Sequence, residues 1–113
     1  MRVYLPATAA DLSAPQIGPR TAYAVTPALA RALPDEDEEA LEASAGLCAA
    51  DASLTLLAAP GAEALADRRI VIAADVGTAQ VTEPEASGDA LPGTVRVKTP
   101  VAWEAVAALL VDE

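Results

Sequence analysis

The apolar residues of this chain follow two different spacings. Short apolar or alternating runs predict strands, which we place at 3–5, 20–25, 70–74, 94–98 and 107–112, and a brief strand could add to them at 80–82. Apolar residues three and four positions apart predict helices around 9–12, 27–33, 35–59 and Trp103. Strands separated by helices need crossover connections. The pattern therefore predicts an α+β fold. We expect a mixed sheet of four to five strands with helices mainly on one face, in the style of a ferredoxin-like sandwich.

The longest helical segment, 35–59, begins with an acidic run and carries one apolar stripe. The acidic residues from Asp35 to Glu42 favour a helix N-terminus because they oppose the positive end of the macrodipole. Gly46 lies inside the segment and predicts a close packing contact. The residues predicted to form the buried stripe share one helix face: Ala40, Ala43, Leu47, Ala50, Leu54 and Leu57.

Capping residues and prolines mark where several elements begin and end. Thr8 and Asp11 form a capping pattern for a short helix. Thr26 and Pro27 supply the N-cap and the first residue of the next helix, where proline loses no hydrogen bond. Pro6 is expected to end the first strand.

The second half of the chain contains one strongly apolar run and one irregular stretch. Residues 70–74 are apolar throughout, which predicts a central strand covered on both faces. Residues 77–93 are rich in Gly, Pro, Glu and Ser and predict an irregular loop. At 113 residues, the chain is expected to form a single domain over 1–113.

The composition removes several classes of site. The chain has no histidine, and Cys48 is its only cysteine, so zinc sites and internal disulfides are not expected. The glycines form neither a GxGxxG nor a P-loop spacing. Cys48 lacks a histidine to activate it and is expected to be an inert thiol. We therefore predict no cofactor, no metal and no catalytic residue, and we consider an enzyme less favoured than a binding protein.

The charge balance limits the partners. A net charge of -10 disfavours both nucleic acid and anionic membrane surfaces, and it favours solubility. No apolar run approaches the length of a membrane span, and the first residues lack a signal-peptide pattern, so we expect the cytoplasm.

Asp75 is the strongest single candidate for ligand binding, because it closes the apolar strand 70–74 and polar groups at strand ends often line sites. Arg68, Arg69 and Tyr23 are the groups that could converge with it. The alternative is that Asp75 only forms a turn before Val76.

A second candidate is a basic patch on one face of the sheet. Arg2, Arg96 and Lys98 occupy outward strand positions, and Tyr4 shares the face of Arg2. Such a patch could hold an anion, dock a partner or pair with the acidic helix start of a second subunit. The alternatives are an ordinary polar strand face and, less favoured, a stacking platform for nucleic acid.

These observations leave two main hypotheses. The first is a non-enzymatic interaction or regulatory module that forms a homodimer, with an unknown protein partner as a further possibility. The second is a protein that binds a small molecule or an anion, with a site near the end of the strand Ile70–Ala74. This hypothesis includes an enzyme that uses carboxylate, Tyr and Arg groups.

Several segments together resemble a known family. They are residues 1–8, 22–27, the glutamate-rich helix start, 68–76, and Trp103 with Val111 and Asp112. As a set they are similar to short actinobacterial proteins classed as a domain of unknown function. The resemblance implies a cytoplasmic bacterial protein of about this length, and it implies no activity, substrate or site residue.

Overall fold

The computed structural model describes residues 1–57, 70–82 and 93–111, which form one sheet, two α-helices and three 3₁₀ turns. The strands are β1 (Arg2–Ala7), β2 (Arg20–Tyr23), β3 (Ile70–Asp75), β4 (Val81–Thr82), β5 (Thr94–Val97) and β6 (Val106–Val111). The α-helices are α1 (Pro27–Ala32) and α2 (Glu38–Leu57). The 3₁₀ turns are Ala9–Ser13, Thr78–Gln80 and Trp103–Ala105.

The six strands form one sheet in the order β4-β5-β2-β1-β3-β6, and every neighbouring pair is antiparallel. The predicted α+β class is confirmed. The predicted details of the sheet are not confirmed: it is antiparallel rather than mixed, it has six strands rather than four to five, and its strand order is not ferredoxin-like. β2 and β3 are parallel to each other, as their crossover connection requires, but β1 lies between them and pairs antiparallel with both.

The two faces of the sheet are buried by different parts of the chain. On one face, α1 and α2 pack over Tyr4 and Tyr23 through a cluster that includes Leu29, Leu41 and Ala45. On the other face, Ile17 and Val101 bond to each other through their backbones and complete a cluster of strand residues. The buried strand residues of that cluster are Val3, Leu5, Ala7, Ala22, Ile70, Ile72, Ala74, Val95 and Val97.

The prediction that Pro6 ends β1 is wrong, because the strand continues to Ala7. Pro6 pairs with Val71 of β3, but its carbonyl oxygen accepts a hydrogen bond from Arg20 Nη1 at 3.0 Å on the side of β2. The N and O atoms of one strand residue point to the same side. The missing N–H of Pro6 therefore costs no bond to β3, which explains how proline is accommodated in a central strand.

The predicted stripe on α2 is wrong in register. The side chains buried against the sheet are Leu41, Ala45, Ala49 and Ser53, at four-residue steps, whereas Leu47 is 66% exposed. Three of these four residues are small, so the helix backbone can approach the sheet closely. Gly46 lies over the ring of Tyr4, where an added Cβ would stand 3.8 Å from Cδ1, in agreement with the predicted packing contact.

Ser53 ties α2 to the sheet by two buried hydrogen bonds. Its Oγ donates to the carbonyl oxygen of Ala7 at 2.8 Å and accepts from the N–H of Ile70 at 3.1 Å. Ala7 and Ile70 are opposite each other in the ladder of β1 and β3. One hydroxyl therefore fixes the helix against both strands at the point where their pairing ends.

Other predictions are confirmed. Thr26 caps α1 by accepting from Leu29 N–H, and β3 is buried on both faces from Ile70 to Ala74. The brief strand predicted at 80–82 is β4. Residues 83–92 of the predicted loop, and the carboxyl end of the long helix beyond Leu57, lie outside the described residues.

We expect Ser53→Ala to lower the free energy of unfolding by about 1–3 kcal/mol, because Ala7 and Ile70 would keep buried polar groups with no partner. Ser44→Ala, the same change at a half-buried position of α2, is the control and should stay within about 0.5 kcal/mol. Urea denaturation of both variants measures the difference. Equal stability of the two variants would show that the Ser53 hydroxyl does not hold the helix in place.

Candidate functional site

Asp75 and Arg2, predicted in two separate candidate groups, form an ion pair with each other. Arg2 Nε and Nη2 each donate to one carboxylate oxygen of Asp75 at 3.0 Å. Both side chains are exposed, and the hydrogen bond from Arg2 lowers the pKa of Asp75 below its ordinary value. Arg2 and Asp75 stand directly opposite each other at the last position of the ladder between β1 and β3. Their ion pair therefore joins the ends of the two strands.

Tyr23 does not join Asp75 in a common pocket. Tyr23 stands opposite Tyr4 on β1, whereas Asp75 stands opposite Arg2 on the far side of the same strand. Their backbones are thus separated by two strand spacings, about 10 Å, and by about 7 Å along the strands. Arg68 and Arg69, the other members of the predicted group, lie outside the described residues.

Tyr23 instead lines a cleft of about 780 Å³ between α2 and β2, which we call the Tyr23 cleft. Its walls combine apolar groups with hydroxyls, a thiol and three charged side chains. The lining residues are Pro6, Thr8, Asp11, Pro19, Arg20, Thr21, Tyr23, Cys48, Asp51 and Ala52. The volume falls within the range of small-molecule pockets, about 300–1,000 Å³.

Arg20 forms a fixed wall of the Tyr23 cleft. Its Nη1 and Nη2 donate to the two carboxylate oxygens of Asp11 at 3.0 and 2.9 Å, and its Nε donates to the carbonyl oxygen of Gly18 at 3.0 Å. Asp11 also accepts from the backbone N–H of Thr8 at 2.8 Å, as the predicted capping pattern requires. Together with the bond to Pro6, four donors of Arg20 are held in place, so the pair is preorganised rather than mobile.

The titration of the cleft residues follows from burial. Desolvation would raise the pKa of Asp11, but the hydrogen bonds from Arg20 and Thr8 outweigh it, and the pKa is lowered. Desolvation raises the pKa of Tyr23, with smaller contributions from Cys48 and Asp51. Desolvation also raises the pKa of Cys48, followed by the charge of Asp51. The thiol therefore keeps its proton to a higher pH than an ordinary cysteine does.

On the opposite side of α2 lies a second cleft, of about 840 Å³, which we call the β6 groove. Its floor is apolar, and two glutamates stand at the amino-terminal end of the helix. The lining residues are Tyr4, Glu39, Glu42, Ala43, Gly46, Leu47, Ala50, Val71, Leu109 and Leu110. Tyr4 belongs to this groove, where burial and then the charge of Glu42 raise its pKa.

β6 borders this groove as the last strand of the sheet. Leu109, opposite Ile72, is 45% exposed, and Leu110, opposite Val71, is 50% exposed. The two leucines lie on opposite faces of the strand, because neighbouring strand residues alternate. Within the part of the chain that the structure describes, β6 pairs only with β3, which leaves its outer backbone edge without a strand partner.

The four residues of the predicted basic patch do not lie together. Tyr4 packs beneath α2 and Arg2 bonds to Asp75, whereas Arg96 and Lys98 are exposed on and just after β5. From the strand register, Arg2 and Arg96 are offset by about 13 Å along the strands and about 10 Å across them. The structure therefore separates two basic residues, Arg96 and Lys98, from the ion pair that Arg2 forms with Asp75.

Two general features of the site remain. Among residues 1–57, 70–82 and 93–111, no group of three or more Cys, Asp or Glu side chains is arranged to hold a metal ion. None of the helices in these ranges is both long and apolar enough to cross a lipid bilayer.

The fold and the two clefts define an acidic α+β protein built on one antiparallel sheet. The chain belongs to a family of unknown function, DUF6912, whose family model matches residues 1–113. The predicted resemblance to a domain of unknown function is thus confirmed, while the actinobacterial origin stays a prediction. Comparisons with curated proteins and with solved structures gave no match. Function must therefore be argued from the geometry.

Sequence reasoning missed the β6 groove and the pair of Asp11 and Arg20. The groove had a readable signal: residues 106–111 are apolar without alternation, and Leu47 lies outside the four-residue steps of small residues on α2. The pair had a partial signal, since Thr8 and Asp11 were recognised as a cap. Arg20 reaches Asp11 because of the path that residues 14–19 take. No local sequence pattern fixes that path.

We expect Asp11→Ala to lower the free energy of unfolding at neutral pH by about 1–3 kcal/mol, because it leaves the partly buried Arg20 without its carboxylate. The folded pKa of Asp11 is lowered, so its contribution is complete above the ordinary value of 3.8 and is lost as the pH falls through the folded pKa. Between about pH 6 and about pH 3, wild type should therefore lose more stability than the variant in urea denaturation. If lowering the pH reduces the free energy of unfolding equally in wild type and variant, Asp11 and Arg20 do not form a stabilising pair.

Proposed function

We propose that this protein is a non-enzymatic interaction module that works as a homodimer joined through the outer edge of β6. The observation that carries the proposal is the exposure of Leu109 and Leu110 on an edge strand that borders the same groove as the still more exposed Leu47. An unpaired edge presents a row of backbone N–H and C=O groups that can pair with another strand. Natural edge strands are usually shielded by charge, proline or a short length, and β6 has none of these over Val106–Val111.

Charge restricts where on the surface a second copy can join. The chain has a net charge of -10, so most ways of bringing two copies together place acidic surfaces against each other. Val106–Val111 contains no charged residue, so two such strands can pair without repulsion between like charges. The two acidic residues in the lining of the β6 groove, Glu39 and Glu42, stand at one end of it.

The direction of the elements makes the surface self-complementary. Ser53 near the carboxyl end of α2 bonds to Ile70, which pairs with Val111, so α2 and β6 run in the same direction. A two-fold axis through the middle of β6 would pair two antiparallel copies of the strand and set the two helices antiparallel. Glu39 of each copy would then approach the carboxyl half of the other helix rather than its acidic start, and the leucines would meet near the axis.

We expect the wild-type protein to sediment as a dimer at micromolar concentration and Leu110→Arg to sediment as a monomer, because the arginine would place two like charges in an apolar interface. Leu12→Arg is the matched control: Leu12 is 40% exposed, close to the 50% of Leu110, but it lies in the 3₁₀ turn away from β6. Circular dichroism checks that each variant folds. The control should remain dimeric.

A wild-type monomer over the whole concentration range would remove the proposal. A dimer that both arginine variants leave intact would move the interface to another surface. Leu47→Arg serves as a second variant, on the helix side of the same groove, and should give the monomer that Leu110→Arg gives.

A further inference from the structure

We propose that the face of the sheet around β5 binds a small organic molecule with one anionic group, a phosphate or a carboxylate. Arg96, Lys98 and two threonine hydroxyls would hold the anionic group, and the Tyr23 cleft would hold an uncharged body. This site lies on the other side of α2 from the β6 edge and does not depend on the dimer.

The strand register surrounds Arg96 with hydroxyl groups. Arg96 stands opposite Thr21 of β2 on one side and opposite Thr82 of β4 on the other. Residues opposite each other in an antiparallel pair share a face, with Cβ atoms about 4.5–5.5 Å apart. Arg96, Thr21 and Thr82 are all exposed on that face. A guanidinium between two hydroxyls offers donors to several oxygens of one phosphate or carboxylate group.

Lys98 adds a second positive charge to the same face. It follows Arg96 by two positions, a step of about 7 Å along an extended chain, so both side chains leave the sheet on one side. Its backbone N–H bonds to Gln80 at 2.8 Å, which holds the segment beside the Thr78–Gln80 turn. The site therefore contains two cations on one side of the sheet.

These two cations have no carboxylate partner among the residues that the structure describes. Arg2 pairs with Asp75, and Arg20 pairs with Asp11. In a chain with 17 acidic and 7 basic residues, most cations should find an internal partner. Arg96 and Lys98 have no such partner in the described part of the chain. On a molecule whose overall charge repels anions, two neighbouring cations form a local attraction for an anion.

Thr21 connects this face with the Tyr23 cleft, because it stands opposite Arg96 and also lines the cleft. An anionic group held at Arg96 would therefore place the rest of a small molecule toward the ring of Tyr23 and the methyl group of Ala52. Arg20, the cation in the lining of the cleft, is already bound to Asp11 and is not open to a second anionic group. The expected ligand thus has its negative charge at one end and a neutral, partly apolar body.

Phenyl phosphate and inorganic phosphate separate the two parts of the site. In ¹H–¹⁵N NMR titrations at low salt, we expect both to shift the amides of Thr21, Thr82 and Arg96. Phenyl phosphate should also shift Tyr23 and Ala52 and should bind at least about tenfold more tightly, because its ring enters the cleft. Benzoate, titrated in the same way, tests whether a carboxylate replaces the phosphate.

Two variants and one control test the assignment. Arg96→Gln should weaken both phosphates at least about tenfold. Ala52→Leu should fill the cleft and reduce phenyl phosphate to the affinity of inorganic phosphate without changing the latter. Arg31→Gln, which removes an exposed arginine from α1, should change neither.

Three results would overturn the proposal: amide shifts that map away from β5, equal weakening by Arg31→Gln and Arg96→Gln, or no difference between the two phosphates. The first two would indicate general attraction of an anion to positive charge, and the third would remove the cleft from the site. Because Arg96 and Ala52 lie away from β6, sedimentation of both variants should be unchanged, so failure here is distinguishable from failure of the dimer.

Discussion

The close approach of α2 to the sheet is the constraint on which the rest of the structure depends. Ser53 bonds at once to Ala7 and Ile70, and the small side chains of Ala45 and Ala49 on the same stripe allow the helix backbone to lie near the strands. A larger residue on this stripe would lift the helix and leave polar groups of β1 and β3 unpaired. With its position fixed over β1, β2 and β3, the helix leaves a cleft on each side, so both proposed sites follow from one packing contact.

The two sides of the helix differ in chemistry, and that difference assigns them different roles. The side toward β6 is lined mainly by apolar side chains, has an uncharged edge strand, and carries its two lining glutamates, Glu39 and Glu42, at one end. The side toward β2 and β5 contains a fixed ion pair, hydroxyls and two cations that have no carboxylate partner within residues 1–57, 70–82 and 93–111. Apolar area that is free of charge suits association with another protein surface, and convergent polar groups beside an aromatic ring suit a small ligand. In a dimer formed through β6, the two ligand sites would lie at the far ends of the extended sheet.

How much was predictable from the sequence depends on whether a feature is local. The cap at Thr26, the buried strand β3 and the short strand β4 were recovered because each has a signal within a few residues. The buried face of α2 was misplaced because Ala and Ser carry little hydrophobic signal, so the larger Leu47 dominated the pattern although it is exposed. Pairing of Arg2 with Asp75 joins residues 73 positions apart, and strand order, which no local pattern sets, brings them together. Tyr23 lines a cleft away from Asp75, because β1 lies between their two strands.

The most direct experiment is hydrogen exchange, read by mass spectrometry at several protein concentrations. It tests whether two copies join at the edge of β6. If two β6 strands pair, amides of Val106–Val111 should become more protected as the protein concentration rises, while those of β4, at the other edge of the sheet, should not change. Pairing of two β6 strands would give hydrogen-bond partners to backbone groups that no described strand reaches. Protection of Val106–Val111 that is independent of concentration, or a change at β4 instead, would contradict it.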